Sequence, residues 1–128
     1  MANKTISTIV QENGKSDIFR ARFARFVYDV QSLRVWIYAP NGALVTGRVE
    51  VSEPDKNEWI LLTDAVNGEV VEFTSSNTAH IETSSDLDVR WDISNVNVTT
   101  PVDPATLDDP DDITQYPAGS VRIGIAHS

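Results

Sequence analysis

The chain has 128 residues, a mass of 14.1 kDa and a formal net charge of −9, with no cysteine. That length suits one domain able to bury a core without covalent help. The absence of cysteine excludes disulfide stapling, thiolate metal sites and cysteine nucleophiles.

The charge is unevenly spread: residues 1–50 carry a balance of +3 and residues 51–128 a balance of −12. An overall negative charge argues against nucleic acid, whose binding rests on phosphate neutralisation. The apolar runs are shorter than the roughly 20 residues a membrane-spanning helix needs. The opening Met1-Ala2-Asn3-Lys4-Thr5 has no apolar core of a signal peptide.

From the N-terminus, residues 4–11 read as a first strand, closed by Asn13-Gly14. In Ser16–Val30 two patterns compete. Phe19, Phe23, Phe26, Val27 and Val30 fit a short helix capped by Ser16. Phe19, Ala21 and Phe23 also alternate with Arg20 and Arg22, and a bulge near Ala24-Arg25 would carry the same face on to Phe26, Tyr28 and Val30. The aromatic and β-branched content favours the long bulged strand.

Residues 33–39 are apolar on both faces. Leu33, Val35 and Ile37 form one side, Trp36 and Tyr38 the other beside Arg34, as in a central strand or one whose second face meets a partner. Strands are expected at 43–51, 58–63, 69–74 and 78–83, punctuated by Asn41-Gly42, Pro54 and Asn67-Gly68. The clearest alternation is Leu87, Val89, Trp91 and Ile93 against Asp88, Arg90 and Asp92. The C-terminus repeats it with Val121, Ile123 and Ile125. Between them, Thr99 to Ser120 holds four prolines and the run Asp108-Asp109-Pro110-Asp111-Asp112. Proline at that density cannot join a ladder, so residues 99–120 read as a long surface loop before the last strand. The fold expected is all-β: one antiparallel sandwich over residues 1–128, with about eight short strands.

Candidate chemistry is sparse. No nucleotide loop, zinc motif or nucleophile elbow occurs, and the paired Asp86 and Asp88 read as a solvent face. His80 falls mid-strand and His127 at a chain end, where side chains are usually mobile. No catalytic, cofactor-binding or metal residue is therefore assigned. The acidic run matches no calcium loop, since it lacks the Asp-x-Asp-x-Asp-Gly spacing and closing Glu. Candidate contacts with other proteins are Arg20, Arg22 and Arg25, the Trp36 and Tyr38 face, and Asp108, Asp109, Asp111 and Asp112.

The Met-Ala-Asn-Lys-Thr start, the cysteine-free β-rich body, the Asn-Gly turns and the Pro/Asp-rich excursion together resemble small bacteriophage virion proteins: capsid decoration, penton or spike-base, and tail-accessory domains. That resemblance implies a jelly roll or related sandwich. It also implies a non-enzymatic structural role in the virion, after synthesis in the host cytoplasm, through contacts with other virion proteins and symmetric copies of itself. It carries no functional residue over to this chain. The alternative from a different class is a small ligand-binding sandwich module for carbohydrate or calcium.

Overall fold

The computed structural model describes residues 4–23, 31–40, 43–83 and 85–127. Nine strands run through them: β1 (Lys4–Val10), β2 (Gly14–Lys15), β3 (Phe19–Ala21), β4 (Gln31–Tyr38), β5 (Thr46–Ser52), β6 (Ile60–Leu61), β7 (Asn77–Thr83), β8 (Leu87–Ser94) and β9 (Val121–His127). All pairings are antiparallel. One sheet has the order β1-β9-β4-β7, the other β2-β8-β5-β6, with β3 also on β8.

Both β2 and β3 lie along the same strand, β8, and act as one interrupted strand. The chain is then folded back on itself from both ends. The first strand pairs with the last, the second with the seventh, the third with the sixth and the fourth with the fifth. With β2 and β3 taken as one, successive strands fall in opposite sheets at every connection but the fourth, from β5 to β6, which is the jelly-roll arrangement of two sheets and no full closure.

Alternation places the core. In β8, Val89, Trp91 and Ile93 are buried between the sheets. Facing them are Leu33, Val35 and Ile37 of β4 and Val121, Ile123 and Ile125 of β9. Trp91 packs edge-on to Phe73, with ring centroids 5.0 Å apart. Its six-membered ring occupies the space a side chain at position 47 would need: a Cβ on Gly47 would stand 3.0 Å from Trp91 Cζ3.

Several expectations are refined. Residues 58–63 and 69–74 were expected as full strands, but only Ile60–Leu61 forms a ladder, while Thr63–Val70 and Gly47–Phe73 are single bridges. The carboxylate of Asp64 and the amide of Asn67 accept from Val66 N and Glu69 N, so local side-chain bonds close this turn in place of a longer ladder. Gly68 supplies the positive φ the turn needs, +72°. Asn13-Gly14 joins no hairpin of neighbouring strands: it carries the chain from β1 in one sheet to β2 in the other. In Ser16–Val30, Phe19–Ala21 is strand and no helix forms as far as Phe23. The expected bulge at Ala24-Arg25 and the Asn41-Gly42 turn lie outside the described residues.

Candidate interface surfaces

The outward side of the second sheet is a lattice of charges. Glu50 on β5, only 8% exposed, accepts from Lys15 Nζ at 2.6 Å and from Arg90 Nε at 2.9 Å. Burial works to raise its pKa, but the hydrogen bonds from Lys15 and Arg90 and their charges outweigh it and hold the carboxyl below its ordinary value. The Arg90 guanidinium also lies over the Trp59 ring, 4.2 Å from its centroid. Arg48 pairs with Glu72 at 3.0 Å.

Two of the basic candidates sit on this sheet. Arg20 is exposed, in register opposite Asp88. Arg22 turns inward along the sheet edge, donating to Asp88 Oδ1 at 2.8 Å and to Leu87 O at 3.2 Å. Asp88 is 2% exposed and its second oxygen accepts from Asp55 N at 3.0 Å. This corrects the reading of Asp88 as a solvent-facing residue: the turn at Asp55 and the Arg22 side chain close over it. Arg22 is thus an internal brace, and Arg25 lies outside the described residues.

The outward side of the first sheet is different. Trp36 and Tyr38 on β4 both point away from the core, and neighbour Gly124 and Arg122 of β9. Trp36 is half-buried because its ring lies against Gly124, where a Cβ would come within 2.7 Å of Trp36 Cζ2. Tyr38 stays 47% exposed. The second apolar side of β4 is therefore covered in part by the sheet's own neighbouring strand.

The acidic loop is anchored to this same sheet. Gln11, just past β1, uses its amide to donate to Val102 O and accept from Val102 N, at 2.9 and 2.8 Å. Arg122 donates to Asp111 O. Within the loop, Asp103 accepts from Ala105 N and Asp112 from Thr114 N, each at 3.0 Å, capping two short 3₁₀ turns. The Thr114 hydroxyl and amide hold the Asp112 carboxyl below its ordinary pKa. Asp109 accepts from Asp111 N at 3.0 Å, and the Tyr116 hydroxyl donates to Pro110 O at 2.6 Å. Asp108 is exposed. Three of these carboxylates are thus engaged in holding the backbone. Among the described residues, no three His, Asp or Glu side chains gather as a metal-holding group. The eight described candidates do not form one site. Arg20 and Arg22 lie on one sheet, and Trp36, Tyr38 and the acidic loop on the other.

His127 was expected to be mobile and is instead 4% exposed, edge-on to Phe23 with ring centroids 5.2 Å apart. The signal was present: the inward parity of Val121, Ile123 and Ile125 runs on to 127. For Glu50 and Asp88 no such signal exists, since both keep the outward parity and are covered by chain from elsewhere. No protein-family model matches this chain, and no curated protein matches it in sequence.

Proposed function

We propose that this protein is a non-enzymatic structural component of a virion, in the capsid or the tail. It works through assembly with copies of itself and with other virion proteins. The observation that carries the reading is the strand order, β1-β9-β4-β7 over β2-β8-β5-β6. That jelly roll is a fold of viral capsid proteins, and of lectins and cupins as well. A fold is compatible with many functions, so the surface must decide among them.

Two surface features favour assembly. Most of the second sheet's charges are matched within the chain, by Lys15–Glu50–Arg90, Arg22–Asp88 and Arg48–Glu72. The first sheet presents Tyr38 and an acidic loop whose turns are fixed by its own caps, and a pre-formed loop loses little freedom on docking. Light scattering across a concentration series tests the reading. A discrete symmetric oligomer is expected, and a monomer at every concentration would overturn it.

A second reading is a ligand-binding module for carbohydrate or calcium. It is favoured by a hollow of about 180 Å³ lined by Tyr38, Pro40, Tyr116 and Pro117, where a sugar ring could stack on a tyrosine. A glycan array and a calcium titration distinguish it from assembly.

A further inference from the structure

We infer that β1 is an open edge through which two copies of this chain join, antiparallel, into one continuous sheet. The inference rests on the assembly reading, to which it adds a partner and a contact. β1 sits at the rim of the first sheet and, among the described residues, pairs on one side only, with β9. In such a strand alternate residues turn their N–H and C=O groups away from the neighbour, where they can template another strand.

The other sheet ends are blunted. β2 and β6 have two residues each and β3 three. β7 matches β1 at seven residues, but it sets His80 and Glu82 on its outward side. Short length and charge are the usual protections of an edge. Past Lys4 at its start, β1 reads Thr-Ile-Ser-Thr-Ile-Val from Thr5 to Val10, a stretch with no charge, no proline and no glycine. Ile6 makes the same point. It pairs with the buried Ile125 and so faces the core side, yet it is 38% exposed, and among the described residues no strand pairs beyond it at the rim.

The strand is complementary to itself. Antiparallel pairing about Ser7 sets Ser7 against Ser7, Ile6 against Thr8 and Thr5 against Ile9, each pair on one face. Such cross-strand pairs are favourable and bring no two charges of β1 together; Arg122 of β9, which donates to Ser7 Oγ at 3.2 Å, would turn aside at the seam. At a net charge of −9 two copies repel over most of their surface, so an uncharged edge is where they can approach. The second copy would also cover Ile6.

The chain has no cysteine, so one introduced residue reports without background. Opposed residues of an antiparallel pair lie within the span a disulfide bridges. Ser7→Cys under mild oxidation should therefore give a covalent dimer. Thr78→Cys, exposed on the same outward face but on β7, should not. Ile6→Lys places a charge on the edge and should abolish the non-covalent dimer that light scattering is expected to detect for the parent, with the circular dichroism spectrum kept. If Ser7→Cys cross-links no faster than Thr78→Cys, the edge contact is wrong. If the parent assembles and folded Ile6→Lys assembles equally well, the edge fails while the assembly reading survives. A parent chain that is monomeric at all concentrations sinks both.

Discussion

Gly124 of β9 and Trp36 of β4 share a space that holds only one side chain. A Cβ on Gly124 would stand 2.7 Å from Trp36 Cζ2 and 2.5 Å from the carbonyl oxygen of Ile6 on β1. The absent side chain thus does two things: it leaves room for the indole, and it lets β1 close against β9. Gly124→Ala is expected to cost about 1–3 kcal/mol, as overpacking does. Adding Trp36→Ala should recover only part of that loss, because the clash with the Ile6 backbone remains. Urea melts of the two single variants and the double variant measure it. Full recovery would place the whole conflict on the indole.

Asp88 and Arg22 form a brace in which one partner is buried and the other half-exposed. Removing Asp88 leaves the Asp55 N–H without its acceptor and the guanidinium without its charge. Removing Arg22 leaves a carboxylate still bonded to Asp55. Asp88→Ala and Arg22→Ala are each expected to destabilise by about 2–4 kcal/mol, the second because it strands a buried carboxylate without its counter-charge. Charge reversal at Arg22 should damage the fold itself, whereas Arg20→Glu should leave it intact. A test of the basic stripe in assembly thus belongs at Arg20, read by salt dependence.

Glu50 gives a pH dependence with a definite sign. Its folded carboxyl titrates below the ordinary 4.5, so in that window the unfolded chain binds more protons than the folded one. The stability Glu50 contributes is complete above about pH 4.5 and is lost as pH falls through the folded value. Glu50→Gln should cost about 1–2 kcal/mol at pH 7, where Lys15 and Arg90 lose a charged acceptor. The gap between variant and parent should narrow on acidification. Melting temperatures of both from pH 3 to 7 check this, and a gap independent of pH would remove Glu50 from the account.

How much of this was legible depends on what each residue faces. Val89, Trp91 and Ile93 could be read as core because a strand's two faces are written at alternate positions. The sheet order could not, because each ladder except that of β5 and β6 joins segments far apart in sequence, and local pattern carries no record of the partner. The long loop was legible from its prolines, yet its aspartates gave no hint that they cap turns. The same composition would suit a loose acidic tail. The contact candidates were legible as types but not as a place: Arg20 and Tyr38 both alternate outward, and only the assignment of β3 and β4 to different sheets separates them.

The acidic loop is expected to keep its shape without calcium. Asp103 and Asp112 are engaged on backbone amides that close the two short turns. EDTA should therefore leave the melting temperature unchanged, and Asp112→Ala should lower stability by a similar amount with or without calcium. A melting temperature that rises by several degrees with added calcium would favour the ligand-binding reading.

Trp91 should dominate the core energetics, in a way that separates its size from its nitrogen. The side chain is fully buried, packs on Phe73 and fills the space over Gly47. Its Nε1 is buried and meets no acceptor among the described residues, a state that costs about 1–3 kcal/mol. Trp91→Ala removes the packing and opens a cavity between the sheets, for an expected loss of about 3–5 kcal/mol. Trp91→Phe keeps an aromatic ring against Phe73 and discards the unpaired donor, so the two effects oppose. Its net loss should stay below about 1.5 kcal/mol. Denaturant melts of both variants, followed by far-ultraviolet circular dichroism because the fluorophore itself is changed, give the comparison. If Trp91→Phe is nearly as damaging as Trp91→Ala, the indole N–H carries no such cost and is met in solution by a buried water.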